Sequence, residues 1–380
     1  MTGPLAGVEV VEVASIGPGP FCAMVLADLG ADVIRIERPT MAAPESDPPP
    51  DPLQRGRSTS VALDLKDPEG LEVLLDLVES ADVLIEGFRP GVMERLGAGP
   101  KECLTLNPRL IYGRMTGWGQ DGPRAVSVGH DLDYLAVAGV LHSIGSADRP
   151  PPVPLNLIAD FGGGGMLLAL GICAALAGRT SGSPGQIIDA AMVDGAALLM
   201  AMFHGMRTTG TWTDDREANL LDGGAPFYRC YETADGKFMA VGAIEPQFFA
   251  ALLEGLEIEP ETVGGQYDRS TWAETGDRFA AVFVGHTRDE WDRTFTGTDA
   301  CVAPVNDMGE ATADPHMVER ESFVEVAGVV QPAPAPRFSV TSLGTPSPPR
   351  PPGADTDRVL VDLGYSSDRI AELHRRGVIA

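Results

Sequence analysis

The sequence predicts a two-domain α/β protein: a doubly wound parallel-sheet large domain and a smaller α+β domain. Three observations carry this. Residues 8–37 read as strand, helix and strand, a βαβ unit. The same alternation runs on to residue 115 and resumes at 186. From 226 the pattern changes to a hairpin followed by helices.

The first strand is VEVVEVA at 8–14, followed by the loop SIGPGP at 15–20. FCAMVLADLG has helical spacing and ends on Gly30, and ADVIRIE at 31–37 is the second strand. The loop is not GxGxxG, and its prolines remove N–H donors, so it is a weak nucleotide signal. TMAAPESDPPPDP at 40–52 reads as a proline-rich surface loop. A helix at 67–80 and strands at 82–86 and 109–115 extend the alternation. QIIDAA then leads into the helix MVDGAALLMAMFHG.

FYRCYET and FMAVGA flank a turn at Asp235-Gly236. Helical patterns follow at 245–256 and 271–295, then a strand at 299–305. The expected large domain is 1–200, completed by 330–380, and the small domain is 225–325. Residues 201–224 and 326–352 are expected to be linkers, the latter proline-rich. One amphipathic helix or two are expected at 354–378.

Length and composition narrow the function. A chain of 380 residues with 44% apolar content suits about two domains with a large core. Its 28 basic residues against 54 acidic give a net charge of −26, which argues against nucleic acid as a partner. Cys22, Cys103, Cys173, Cys230 and Cys301 are scattered and without CxxC spacing. They read as reduced core or near-core residues of a cytoplasmic protein, with no metal site. TGPLAGVEVV lacks the basic and apolar regions of a signal peptide. No uncharged apolar run reaches membrane-spanning length; 163–176 comes closest, so no membrane partner is expected.

The candidate site begins at LNLIADFGGGGMLLALGICAALAG, residues 155–178. Its second half reads as a well-buried helix. Asp160 reads first as that helix's N-cap. Capping does not explain Gly162 to Gly165, because glycine destabilises a helix interior. Four together suggest close approach of a ligand to the backbone, and a helix start suits an anion or a developing oxyanion. Among the six histidines, His130 has the promising setting, VGHDLDYLAVAGVLHSIG, and can equally be a helix-start residue satisfied by Asp131. His142 reads as a core histidine. Glu245 precedes Pro246 and suits a helix N-cap or first turn.

GHDLDYLAVAGVLHSIG, VPLNLIADFGGGGM, GQIIDAAMVDGA, LLDGGAPFYRCYETADGKFMAVGAIEPQF and TDACVAPV closely resemble the α-methylacyl-CoA racemases of the class III (family III) CoA-transferase superfamily. The resemblance runs from GVEVVEVASIGPGP to APRFS. It implies an interlocked homodimer whose active site is shared between the large domain of one subunit and the small domain of the other. It also implies an isomerase of fatty acid and lipid metabolism. That enzyme interconverts (2R)- and (2S)-2-methylacyl-CoA thioesters, with no cofactor beyond the coenzyme A of the substrate. A CoA-transferase using Asp160 as nucleophile, and a non-catalytic CoA-binding protein, are the alternatives.

In the racemase reading, Asp160 and His130 are the two acid/base groups, one on each face of the α-carbon. Glu245 supports the imidazole, and Asp131 is a further catalytic neighbour. Apolar surroundings push the Asp160 carboxyl toward its neutral form, and the glycines admit the thioester oxygen to backbone N–H groups. The resemblance places Arg38, Lys66 and Arg95 on the CoA phosphates, with Arg89 and Ile16 also at the CoA site. Arg55 and Arg57 read equally as surface charges or phosphate contacts. Here the chain has RGRST where many relatives carry RGKRS.

Overall fold

The computed structural model describes residues 3–41 and 51–380; the core of the expected loop at 40–52 lies outside the described residues. Six strands form one parallel sheet: β1 (Glu9–Val13), β2 (Asp32–Glu37), β3 (Thr59–Ala62), β4 (Val83–Glu86), β5 (Ile111–Thr116) and β6 (Gln186–Ala191). The order is β3-β2-β1-β4-β5-β6. Runs such as VLIE in β4 are buried throughout, as strands covered on both faces must be. Val11 of β1 lies opposite Ile34 on one side and Leu84 on the other. Strand order reverses between β1 and β4, so the loops leaving their carboxyl ends diverge and open a crevice.

Helices complete the layers. α1 (Pro18–Asp28) follows β1 and starts on prolines, whose missing N–H is no loss in a first turn. α2 (Pro68–Ser80) is capped by Asp67, whose carboxylate accepts from Glu69 N at 2.9 Å. α3 (Val92–Leu96) and α4 (Pro100–Leu106) lie between β4 and β5, and α5 (Asp131–Val137) follows β5. Two C-terminal helices, Thr356–Asp362 and Ser367–Arg376, put Val359, Leu360, Ile370 and Leu373 into the core formed by Val11, Val61, Leu74, Leu84 and Tyr112.

The chain divides into two compact units, 1–138 with 154–199 and 318–380, and 139–153 with 200–317. Two sequence expectations change here. Residues 139–153, expected in the large domain, belong to the smaller unit. His142 Nε2 meets Asp214 O at 2.9 Å, and Arg216 Nη2 donates to Arg149 O at 2.6 Å. Residues 201–224 are no linker. They include a helix, Ala201–Thr208, and a loop closed around fully buried Asn219, which binds Thr213, Asp215 and Asp222. These contacts join polar residues scattered along the chain, so no periodicity announces them.

The smaller unit carries a three-stranded antiparallel sheet, β7 (Tyr228–Glu232), β8 (Phe238–Gly242) and β9 (Val302–Pro304). Gly236, with φ 72°, makes the turn between the first two. Its core is aromatic, with Phe227, Tyr231, Phe279, Phe283 and Trp291 buried together. His142 is exposed rather than core, because its ring reaches a loop carbonyl. Cys230 and Cys301 are also exposed, unlike buried Cys22 and Cys103.

The segment after residue 155 departs most from expectation. Leu157–Met166 is a π-helix, and it runs directly into α6 (Leu167–Thr180). Together they make a run of 24 residues, long and apolar enough by length and composition to cross a membrane. The sequence isolates only 163–176. The helix is not well buried, since Leu170 is 64% exposed and Met166 is exposed with it.

The four glycines have another use than the expected one. A Cβ on Gly163 would stand 2.8 Å from the backbone of Gly195 and Ala196 in α7 (Met192–Leu199). One on Gly164 would meet Met192 at 2.8 Å, and one on Gly165 the carbonyl of Pro18 at 2.7 Å. The glycine run lets the π-helix lie backbone to backbone on α7 and against α1. Conversely, a Cβ on Gly195 would fall on the Gly163 carbonyl oxygen. Gly195→Ala is therefore expected to cost at least about 3 kcal/mol, at the top of the usual overpacking range, because backbone cannot rotate away. Urea denaturation of the two proteins measures it.

Candidate active site

The loop leaving β1 and the loop leaving β4 form the two lips of a cavity of about 550 Å³ at the switch point. Ser15 to Gly19 line one side, and Gly87 to Pro90 the other. Buried Glu86 braces the second lip by accepting from Phe88 N at 2.7 Å and from Arg114 Nε at 3.0 Å. Burial pushes the Glu86 carboxyl up to about 6. Met115, Trp118, Val128, His130, Asn156 and Asp160 line the rest, with Tyr134 and Met192.

His130 and Asp160 reach this cavity from the starts of two different helices. His130 precedes the first residue of α5, and its backbone N donates to Asp133 Oδ2 at 2.9 Å. Asp160 is not the N-cap. It lies inside the first turn of the π-helix, where its Oδ2 accepts from Asn156 Nδ2 at 3.3 Å. A π-helix is rare and concentrates at functional sites. No sequence period distinguishes it from an α-helix here.

Burial pushes the Asp160 carboxyl above its ordinary value. The Asn156 bond pulls it down, the Asp131 charge lifts it, and the nearby His130 lowers it. Asp131 does not line the cavity. It is buried, and its carboxylate accepts from Ala159 N at 2.8 Å and Asp160 N at 3.3 Å. Burial raises its carboxyl too, against the pull of those two N–H groups. Tyr134 donates to Gly129 O at 2.5 Å and stands edge-on to Trp118, fixing the turn before His130.

None of Gly162 to Gly165 lines this cavity, although Asp160, two residues earlier, does.

A second cavity of about 320 Å³ lies beyond the β4 lip, and Phe88 lines both. Arg38 and Lys66 border it, over an apolar wall of Val13, Leu63 and Leu96. Arg38, Lys66, Arg89 and Arg95 are exposed, and none forms an ion pair among the described residues. Arg89 lines the first cavity; Arg95 folds back over Gly91, where a Cβ would stand 3.1 Å from its Nη1. Ile16, 82% exposed, also lines the first cavity. In a chain of net charge −26, these four exposed cations stand without a carboxylate partner among the described residues.

Arg55 and Arg57 are buried, so neither is the surface charge that the sequence allowed, and both guanidiniums are engaged within the protein. Arg55 pairs with Asp28 at 2.6 Å and also bonds Gln331. Arg57 pairs with Glu12 at 3.0 Å and donates to the carbonyls of Pro20 and Leu53.

Glu245 belongs to the smaller unit. It caps the helix Pro246–Gly255 by position only, without a side-chain bond, and its carboxylate is exposed and unpaired among the described residues. No cluster of three or more metal-binding side chains exists among the described residues.

The family model for CoA-transferase family III matches residues 5–357. The chain belongs to CoA-transferase family III. Within the family, it is 47% identical to mouse alpha-methylacyl-CoA racemase over 99% of this chain and 97% of that protein. The human alpha-methylacyl-CoA racemase is 46% identical over the same shares. Human succinyl-CoA:glutarate CoA-transferase is 28% identical over 99% of this chain and 90% of its own. Among solved structures, a CAIB/BAIF family protein from Brucella suis superposes with a TM-score of 0.79 at 26% identity, covering 96% of this chain and all of that one.

Proposed function

We propose that this family III protein is a racemase of 2-methylacyl-CoA thioesters, acting by removal and return of the α-proton through an enolate. The observation that carries the reading is the pair His130 and Asp160, reaching one switch-point cavity from two helices. A transferase needs only the carboxylate. Inversion at carbon needs a base on one face and an acid on the other. Burial around Asp160 brings its proton affinity toward that of an imidazole, which favours exchange of roles between the two. The high identity to the two alpha-methylacyl-CoA racemases supports the same choice.

The acyl group occupies the first cavity, and the CoA phosphates meet Arg38, Lys66, Arg89 and Arg95. Glu245, exposed and unpaired, supports the imidazole in a site completed by a second copy of the chain. The reaction needs no cofactor beyond the coenzyme A of its substrate. Free cysteines suit a reducing cytoplasm.

The second copy also answers the exposed apolar face. Leu157, Met166 and Leu170 on the long helical run, with Leu198 and Leu199 on α7, stand open to solvent, which a stable soluble surface avoids. A homodimer covers them. Sedimentation at sub-micromolar concentration is expected to give a dimer only; a folded, active monomer overturns this part. The activity itself is tested by incubation with a 2-methylacyl-CoA in D₂O. Both enantiomers should form and carry α-deuterium.

A further inference from the structure

We infer that Asp131 is a positioning residue that fixes the Asp160 peptide to the residue following His130, and that it takes no proton from substrate. The sequence suggests a catalytic neighbour, because a carboxylate beside His130 looks reactive. The geometry gives it other work. Its side chain is 4% exposed and absent from the cavity wall. Its Oδ2 accepts from Ala159 N at 2.8 Å and from Asp160 N at 3.3 Å.

Those two N–H groups need an acceptor from outside. The first residues of a helix have no intrahelical partner for their N–H, and a π-helix, with its longer reach back along the chain, leaves one more donor open. Ala159 and Asp160 lie in that first turn. The acceptor comes from the residue covalently next to His130. So one short path joins the two acid/base groups: His130, the adjoining peptide, the Asp131 side chain, and the peptide that carries Asp160. Asp133 holds the His130 end of the same path through its bond to His130 N at 2.9 Å. The separation of the two proton-transfer groups is then set by a covalent bond and a pair of hydrogen bonds to a buried carboxylate. Positional errors near 1 Å at reacting groups cost on the order of 100-fold in rate.

The inference rests on the acid/base reading above, and the experiment separates the two. Asp131→Asn keeps an acceptor oxygen of the same reach; Asp131→Ala removes it. Each is made in the wild-type chain and in the His130→Ala and Asp160→Ala chains. Two measurements are taken: α-deuterium exchange from each enantiomer, and backbone amide exchange over residues 157–161. With Asp131→Ala, amide exchange in that segment is expected to rise at least 10-fold. Racemisation should fall by about 10- to 100-fold in kcat with KM little changed. The residual exchange of His130→Ala, which depends on Asp160, should fall likewise, while that of Asp160→Ala should persist. Asp131→Asn should recover most of the loss in every comparison. Equal inactivity of the Asn and Ala variants with amide protection unchanged would overturn the inference, since it would make the ionisable proton of Asp131 essential. Wild-type activity in Asp131→Ala would overturn it as well. If the wild-type chain exchanges no α-proton, the racemase reading fails, and the amide measurement still decides whether Asp131 anchors the helix.

Discussion

Asp160→Ala and His130→Ala are each expected to lose racemisation by a factor of about 100 to 10,000, the range of one positioned acid/base group. Affinity for CoA should be nearly unchanged, because Arg38 and Lys66, proposed to meet its phosphates, border the second cavity rather than the one that holds His130 and Asp160. Inversion needs both groups, so either deletion removes most of it. Exchange does not need both. A surviving base can remove a proton from its own face and return deuterium to the same face. Each variant is therefore expected to retain exchange for one enantiomer, with opposite preferences. The pH dependence of that residual exchange follows from burial. Asp160 acts as a base only when ionised, and burial raises its carboxyl above the ordinary aspartate value. In His130→Ala, exchange should then fall as pH is lowered, with a midpoint above that of an exposed aspartate. Chiral and mass analysis in D₂O reads all of this. CoA transfer to a free acid, abolished by Asp160→Ala and without α-deuterium in wild type, would move the chain to the transferase branch of its family.

Much of this site is legible in the sequence, and the remainder is hidden for definable reasons. The strands and helices around β1, β2, β4, β5 and β6 show through because Val/Ile runs and 3.6-residue spacing alternate. β3 does not. TSVA is four residues long, has no alternation and follows a proline-rich stretch, so its arginine neighbours draw attention instead. Asp160 and His130 are recognisable by their surroundings. Their support is not, because the bonds from Asp131 to residues 159 and 160 join positions nearly thirty apart. The glycine run misleads in an instructive way. Small residues admit either a ligand or a second backbone, and composition alone does not say which. Here Gly195, thirty residues on, is the other half of the contact. The divided ownership of 139–153 and 154–199 by different units likewise leaves no trace in local pattern.

Arg57→Ala is expected to destabilise the protein by about 3 kcal/mol without weakening the CoA site of the folded molecules. The argument begins with burial. The Arg57 side chain is 1% exposed, so its guanidinium presents no open face to a ligand. Its Nε donates to Glu12 Oε2 at 3.0 Å, and its other nitrogens meet the carbonyls of Leu53, Arg55 and Pro20. Truncation takes this donor away from the carbonyls of Leu53, Arg55 and Pro20 and from half of a buried carboxylate. Glu12 keeps Arg35 at 2.7 Å, which holds the loss toward the lower end of the 3–5 kcal/mol typical of a broken buried pair. For a unit of this size that corresponds to roughly 6–12 °C in Tm. Lysine should not rescue it, because a single ammonium cannot serve four acceptors spread around a planar fork. Arg38→Ala should behave in the opposite way. Arg38 is exposed and unpaired among the described residues, so Tm should hold. KM for acyl-CoA should rise about 10-fold or more, the scale of one charge-assisted hydrogen bond, with kcat nearly constant because the phosphates lie far from the reacting carbon. Added salt should weaken CoA binding by wild type and do so less in the variant. Differential scanning calorimetry and titration with coenzyme A together distinguish the two arginines. If Arg57→Ala kept its Tm and lost CoA affinity, Arg57 would return to the phosphate site, and the buried-pair assignment would fall.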